Sequence, residues 1–297
     1  MMSEAGIRVL ALTVSADCSG QTVKSLLLHE FHMAPSLISR IKLQPGGITV
    51  NGLSAHTDLR VRAGDVVAAQ VSDIGGVNPA PPVKTELEIL WEDEDLAVLN
   101  KPAGMAVHGG EGGVTAANAL AYLWGADQAF HPVSRLDKGT SGLMIAAKSG
   151  YIHDRLRRML HTDGFIRRYI AFAQGEDLPS EGVIELPISP QSVCGTKRAV
   201  DEDGLPSRTE FKVLTSGGGL TELLVTPRTG RTHQIRLHFS ATGHPLAGDA
   251  LYGGDCGLIS RPALHSAKIE LVHPITGALI RVSAPLPPDM AALERRL

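Results

Sequence analysis

The chain has 297 residues and a net charge of −3, from 28 Lys and Arg against 31 Asp and Glu, and 43% of its residues are hydrophobic. This length suffices for one large domain or for a small and a large one, and the charge disfavours a nonspecific nucleic-acid coat protein without excluding a local basic face. The 32 Gly and 18 Pro, against 4% aromatic residues, favour turns and β structure, and no apolar stretch approaches the roughly 20 residues of a membrane span.

Residues 1–72 are predicted to form a small α+β module. Apolar residues recur at helical spacing in its first half, and Pro45-Gly46-Gly47 then turns the chain towards a strand. Asn51-Gly52 is typical of a hairpin turn. The predicted elements are helices at 23–31 and 36–41, a strand at 48–50, and a further turn and strand at 61–67.

Residues 73–85 are rich in Gly and Pro, including Gly75-Gly76, and are predicted to be a linker. Residues 86–297 then form a larger domain in which strands predominate. Its predicted strands cover 87–91, 96–100, 143–147, 167–173, 210–214, 222–226, 269–272 and 279–283. Its predicted helices cover 115–124, 151–160 and 232–242, and a short helix ends the chain.

The stretch from Arg135 to Leu143 carries the clearest chemical signal. Arg135 and Asp137 lie on a predicted turn that is held by Gly139 and Gly142 and precedes an apolar strand. A turn of this kind presents a carboxylate to a cleft while the strand fixes its position. We expect the turn at the edge of a sheet.

Cysteine usage and the start of the chain bear on cofactors and location. Cys18, Cys194 and Cys256 are odd in number, far apart and outside any C-x-x-C pair, so we expect a reduced protein with neither a disulfide nor a zinc site. The residues Met1–Gly6 lack a basic region followed by an apolar segment, so no export signal is expected. Both observations favour a cytoplasmic protein.

Four sequence blocks follow one another along the chain. They are Asn100-Lys101-Pro102 within 92–108, Arg135-Leu136-Asp137 within 135–148, Arg168-Tyr169-Ile170-Ala171 within 168–175, and Gly230-Arg231-Thr232-His233-Gln234-Ile235-Arg236 within 230–249. In this order they resemble the RluA-type pseudouridine synthases, enzymes that isomerise uridine in ribosomal or transfer RNA, and among these the large-subunit ribosomal enzymes of types C and D. Residues 1–72 resemble the small RNA-binding domain that many members share with ribosomal small-subunit protein four.

The resemblance implies an α+β fold: a mixed, mainly antiparallel β-sheet catalytic domain with flanking helices, preceded by the small α+β RNA-binding module. It implies an isomerase that needs no cofactor and no metal and acts as a monomer on RNA. Large-subunit ribosomal RNA is the expected target, and transfer RNA stays open. The target uridines cannot be named from the sequence.

The resemblance also assigns site residues. Asp137 is the expected essential carboxylate, acting either on the anomeric carbon or on a neighbouring sugar proton. Tyr169 is expected to line the uracil pocket, and Arg231 to form a salt bridge that fixes the direction of Asp137. Arg135 either enters the space that a flipped base vacates or contacts phosphate. These side chains are expected to converge in a cleft between the sheets of the large domain.

Several further residues and readings are left open. The family often has His directly before the Arg-Leu-Asp core, where this chain has Ser134.

Two rival functions are a catalytically silent RNA-binding or ribosome-assembly factor and a glycosidase or nucleoside hydrolase, which needs a second acid near Asp137. Candidates for phosphate contact are Arg155, Arg157, Arg158, Arg167, Lys197 and Arg198.

Overall fold

Strands outnumber helices in this chain. The computed structural model describes residues 7–73, 78–109, 113–125 and 127–297, so Gly75-Gly76 of the predicted linker and the start of the chain lie outside the described residues. The strands are β1 (Val9–Thr13), β2 (Ile48–Val50), β3 (Leu53–Ser54), β4 (Val66–Gln70), β5 (Glu88–Glu92), β6 (Leu96–Lys101), β7 (His131–Pro132), β8 (Ser141–Ala147), β9 (Phe165–Gln174), β10 (Glu181–Glu185), β11 (Arg208–Gly217), β12 (Leu220–Pro227), β13 (Leu264–Val272) and β14 (Leu279–Ser283). The helices are α1 (Val23–His29), α2 (Pro35–Ile41), α3 (Ala116–Trp124), α4 (Gly150–Met159), α5 (Gln234–Ala241) and α6 (Pro288–Glu294).

The strands form two sheets. The N-terminal strands make a four-stranded sheet in the order β1-β4-β2-β3. The other strands make a ten-stranded sheet in the order β10-β11-β12-β9-β13-β8-β6-β5, with β14 on β13 and β7 on β8. Strands β8 and β13 are parallel and the other paired strands are antiparallel. The predicted α+β class with a mixed, mainly antiparallel sheet is confirmed.

Local side-chain chemistry explains several element boundaries. Thr22 and Ser149 each accept a backbone N–H from the first turn of α1 and α4, at 3.2 and 3.3 Å. Thr115 and Asn118 form a capping box before α3. Asn51, with a φ of 50°, and the following glycine turn the chain between β2 and β3, as the sequence predicts.

Strand β8 is buried along its whole length and divides two hydrophobic cores. Leu143, Ile145 and Ala147 pack into one core, whereas Met144 and Ala146 pack into the other. The Arg-Leu-Asp turn therefore leads into an interior strand that lies between β6 and β13. The predicted position at a sheet edge is wrong, because β8 is hydrogen-bonded to β6 on one side and to β13 on the other.

The N-terminal sheet and its helices share a hydrophobic core with the ten-stranded sheet. Leu26 of α1 and Ile38 of α2 belong to the same buried cluster as Val98 of β6 and Ile145 of β8. Polar contacts add to this packing: Arg8 donates two hydrogen bonds to Asp95, at 3.0 and 3.1 Å. The module thus packs directly on the larger sheet.

Candidate active site

A cleft of about 820 Å³ opens beside the turn between β7 and β8. The side chains of Arg135, Asp137, Tyr169 and Arg231 all line it, so residues from separate sequence blocks meet in one cavity. The walls come from the ten-stranded sheet, from α4 and from the segment that leads into α5. The described strands of residues 86–297 form a single ten-stranded sheet, so the prediction of a cleft between the sheets of the large domain is wrong, and the cleft lies beside one sheet.

The lining of this cleft is strongly basic although the whole chain is acidic. Asp137 is the single acidic side chain among the described residues that line it. The basic side chains of the lining are Arg135, Lys138, Arg157, Arg167, Arg198, Arg231 and Arg236, together with four histidines. Such a concentration of one charge in a cleft attracts and orients a polyanion.

Asp137 is paired with an arginine, but not with the predicted one. Nη1 of Arg236 lies 3.2 Å from Oδ2 of Asp137. The predicted partner, Arg231, donates instead from Nε to the backbone carbonyl of Pro206 at 3.2 Å. The predicted Arg231–Asp137 salt bridge is therefore wrong, and Arg231 lines the cleft without that contact.

The local fold explains why Arg236 rather than Arg231 reaches the carboxylate. His233 has a φ of 58°, which turns the chain directly before α5 begins at Gln234. Arg231 precedes this turn, whereas Arg236 lies in the first turn of the helix with its side chain 8% exposed. The sequence did contain a signal for a paired arginine. A charged residue stands between Ile235 and Leu237, in a helix that is buried on most sides.

A second carboxylate, that of Asp249, also binds the guanidinium of Arg236. Asp249 accepts from Nε and Nη2 of Arg236, both at 2.7 Å, and Asp249 is 1% exposed. Burial alone would lower the pKa of Arg236, but the hydrogen bonds and charge of Asp249, together with the charge of Asp137, raise it above its ordinary value. The guanidinium is thus a fixed cation with one nitrogen directed at Asp137.

His233 is a second neighbour of the carboxylate. Its Nε2 lies 3.8 Å from Oδ2 of Asp137, and its Nδ1 lies 3.0 Å from the hydroxyl of Tyr252. The Tyr252 hydroxyl accepts the backbone N–H of Arg198 at 2.8 Å, so its own proton is available to Nδ1 of His233. Burial and the charge of Arg236 lower the pKa of His233, although the charge of Asp137 acts to raise it. The lowered pKa favours the neutral imidazole.

Lys101 lies beneath the turn that carries Asp137 and was not predicted as a site residue. Its side chain is fully buried, and Nζ donates to the carbonyls of Pro102 and Met105, both at 2.9 Å. The carbonyl of Lys138, beside Asp137, lies 3.5 Å away. Burial lowers the pKa of Lys101 to about 8, while the charge of Asp137 opposes this shift. The signal in the sequence for a buried lysine here was its position at the end of a largely apolar strand.

Tyr169 and Arg135 occupy different depths of the cleft. Tyr169 lies on β9, paired with Val225 and Ser266 of the neighbouring strands, and is 6% exposed. Arg135 is exposed at the cleft surface, and Ser134, which stands where the resembling family often has His, is buried. The ring of Tyr169 thus forms part of the wall of the cleft, and Arg135 lies at its surface.

Three of the six candidate phosphate contacts line the cleft and three do not. Arg157, Arg167 and Arg198 line the cleft. Arg155 donates to the carbonyls of Phe31 and Pro274, and Arg158 pairs with Asp154, so these two arginines serve contacts elsewhere. Lys197 lies 5.7 Å from the ring centroid of Tyr252.

One group of side chains outside the cleft has the composition of a metal site. The side chains of Asp93, Asp95 and His273 place ligand-type atoms within 4.8 Å of one another. Both oxygens of Asp95 accept from Arg8, and Nδ1 of His273 accepts two backbone N–H groups at 3.1 Å. Nε2 of His273, the nitrogen that faces the carboxylates, lies 2.9 Å from Oδ2 of Asp93, so the group is described as a network of ion pairs and hydrogen bonds.

Comparison with known proteins identifies relatives of this chain. Residues 95–241 match the family model described as RNA pseudouridylate synthase. The chain is 40% identical to the uncharacterized RNA pseudouridine synthase YhcT of Bacillus subtilis, over 84% of each chain. It is 35% identical to the ribosomal large subunit pseudouridine synthase C of Pasteurella multocida, over 95% of this chain and 92% of that one. Identity to the ribosomal large subunit pseudouridine synthase D of Nitrosomonas europaea is 39%, over 70% and 64% respectively.

A solved structure also matches the fold of this chain. Human RNA pseudouridylate synthase domain containing 1 matches with a TM-score of 0.59 and 28% sequence identity, and the match covers 71% of this chain and 89% of the human chain. Among the described residues, no helix has the length and apolar character needed to cross a membrane.

Proposed function

The chain belongs to the RNA pseudouridylate synthase family and is an RNA pseudouridine synthase, and we propose that it isomerises uridines of large-subunit ribosomal RNA with Asp137 as the essential carboxylate. The observation that carries this proposal is the cleft itself, in which Asp137 is the single carboxylate among the described lining residues and lies in a basic lining. Two relatives named as large-subunit ribosomal enzymes support the target class. Transfer RNA is the alternative substrate.

The reaction needs one well-directed carboxylate. The bond between C1′ of the ribose and N1 of uracil breaks, the base turns, and C1′ bonds to C5, while C5 loses a proton and N1 gains one. Asp137 either adds to C1′ or removes a neighbouring sugar proton, and both routes need the carboxylate oriented towards the sugar. Arg236, held by Asp249, supplies that orientation.

The substrate base has to leave its stack before it meets this carboxylate. Extrusion of a nucleotide into a pocket costs a few kcal/mol, which pocket contacts offset. In our proposal the uracil packs against the ring of Tyr169, and Arg135 fills the space that the base leaves. As the resemblance implies, residues 1–72 bind RNA outside the cleft, residues 73–85 link them to the catalytic domain of residues 86–297, and the reaction needs no metal or cofactor. Cysteine usage favours a cytoplasmic protein, and a monomer is the default expectation.

The function is tested by tritium release from RNA that is labelled at C5 of uridine. Unmodified large-subunit transcripts and a transfer RNA pool are incubated with the wild type and with Asp137→Asn, whose side chain has the same shape without the charge. We expect release from the ribosomal transcripts with the wild type and none with the variant. Release only from transfer RNA would move the target to that class.

The rivals have their own signatures in the same reactions. Free uracil in the supernatant would identify a hydrolase, since an isomerase retains the base. Binding of RNA without release from either pool would favour the silent RNA-binding factor. Full activity of Asp137→Asn would overturn the assignment of the carboxylate.

A further inference from the structure

Arg167 is a buried cation without a counterion among the described residues. It lies on β9 two residues before Tyr169, lines the same cleft and is 7% exposed. Its Nε and Nη2 are buried and have no hydrogen-bond partner there. A buried charge without a partner is costly, so a structure that keeps one needs a compensating reason.

Arg168, the next residue of β9, differs from Arg167 because it has a counterion. Arg168 points away from this position and pairs with Glu270, with Nη1 at 2.8 Å from Oε1. Alternate residues of a strand face opposite sides, so Arg167 and Tyr169 share the side that faces the cleft. The two Cα atoms are separated by roughly 7 Å along the strand, at about 3.3 Å per residue.

Other groups that suit an anion line the same cleft as Arg167. His161 follows α4, and Arg157 lies one helical turn before it, and both line the cleft. The backbone at Gly230 passes close by: a Cβ there would lie 3.7 Å from Cε1 of His161 and 3.9 Å from Nη1 of Arg167. Glycine leaves this corner of the cleft open. We refer to Arg157, His161, Arg167 and Gly230 as the anion corner.

We propose that the anion corner binds a backbone phosphate of the RNA strand next to the target uridine, with Arg167 as its central cation. The proposal rests on the proposed function, because it places the uracil on Tyr169 and the strand along β9. The bound phosphate supplies the counterion that Arg167 lacks, and it sets which nucleotide of the strand reaches Asp137. Arg167 is thus a positioning residue.

Charge-matched variants test the assignment. Arg167→Gln and Arg157→Gln remove one positive charge from the corner, and Arg168→Gln and Arg158→Gln remove one from outside the cleft. Binding of an RNA substrate is measured at several salt concentrations in the Asp137→Asn background, so that no turnover occurs. Each corner variant is expected to lower the slope of log affinity against log salt by about 0.7, the value for one phosphate contact with a single strand. The two outer variants are expected to leave the slope unchanged.

A modified RNA then locates the phosphate. Substrates carry one neutral methylphosphonate, moved step by step through the linkages on either side of the target uridine. At one linkage we expect the Asp137→Asn protein to lose about 10-fold in affinity, as for a hydrogen bond to a charged group, and the protein that also carries Arg167→Gln to lose nothing further. Equal losses in both proteins at every linkage would overturn the subsite.

Stability separates this role from a structural one. Removing an unpartnered buried charge is expected to leave the thermal midpoint of Arg167→Gln unchanged or higher, whereas loss of folding would show that the arginine is structural and would overturn the proposal. Failure of the proposed function is seen separately, as absence of tritium release by the wild type. Release by the wild type together with identical binding by Arg167→Gln and Arg168→Gln would overturn the anion corner alone.

Discussion

Asp249 and Arg236 form a buried bidentate ion pair in which both nitrogen–oxygen distances are 2.7 Å. The pair uses two of the three guanidinium nitrogens and leaves Nη1 for Asp137 at 3.2 Å. The orientation of the Asp137 carboxylate therefore depends on Asp249, which itself lies outside the cleft lining. Two carboxylates with opposite environments, one buried and one facing the cleft, share a single cation.

Replacement of Arg236 is expected to damage both stability and activity. Arg236→Gln leaves Asp249 buried and uncompensated, which should lower the free energy of unfolding by about 3 kcal/mol. Tritium release should fall at least about 100-fold even at temperatures where the variant is folded, because Asp137 loses its fixed partner. Denaturant unfolding and single-turnover release measure the two effects.

The matched control is Arg231→Gln. This variant removes the same charge from the cleft but leaves the Arg236–Asp137 contact intact, so its unfolding free energy should stay within about 0.5 kcal/mol of the wild type. Equal stability losses in the two variants would contradict the assignment of the pairing to Arg236.

Tyr169 is expected to contribute through its hydroxyl as well as its ring. The proton at C5 needs an acceptor, and in the proposed reaction Asp137, the only carboxylate among the described lining residues, acts at the sugar. We predict that Tyr169→Phe keeps RNA affinity and lowers the rate of isomerisation by about 100-fold or more, the size of a general-base contribution. Tyr169→Leu should in addition weaken RNA binding, since it removes the flat ring. If Tyr169→Phe releases tritium at the same rate as the wild type, the contribution of Tyr169 is limited to stacking of its ring.

Gly142 is expected to tolerate no side chain. Its φ is 103°, and an added Cβ would lie 2.3 Å from the carbonyl oxygen of Ser266 on the parallel strand β13. Gly142→Ala should therefore cost about 3 kcal/mol or more of unfolding free energy and displace the turn that carries Asp137. Gly164→Ala is the control, because the nearest atoms to its added Cβ are at 3.4 Å. Similar thermal midpoints for both variants would show that β8 and β13 separate easily.

The elements of the fold could be predicted because their signals are local. The apolar run at Leu143–Ala147, the Asn51-Gly52 turn and the spacing of apolar residues in α1 each depend on a few adjacent residues. Boundaries moved by one to a few residues where caps decide them. Predicted helix 232–242 begins at Gln234 instead, since the left-handed turn at His233 is not visible in a pattern of polarity.

The site could be predicted only in part, because its contacts join distant segments. The motifs identified Asp137 and Tyr169 as cleft residues, yet the choice between Arg231 and Arg236 depends on Asp249, which reaches the helix only in the folded chain. The unpaired state of Arg167 is likewise a property of the packed strands. The shared core of the N-terminal module and the large sheet was also not predicted, since both surfaces are ordinary apolar faces in sequence.

Lys101 is expected to make stability depend on pH in the alkaline range. Its folded pKa of about 8 lies below the value of 10.5 for an exposed lysine, because burial disfavours the charged form. Between these two values the unfolded chain binds the proton more tightly than the folded chain, so stability rises with pH. Below the folded pKa both states are protonated, the cost of the buried charge is fully present, and the slope disappears.

The difference in unfolding free energy between the wild type and Lys101→Met isolates this effect. It should be flat below pH 7 and should rise by about 1 kcal/mol in favour of the wild type between pH 7 and pH 9, as one titrating group requires. Lost hydrogen bonds to Pro102 and Met105 shift the whole curve without changing its slope. A flat difference for Lys101→Met would show that the charge of Asp137 compensates the burial of Nζ.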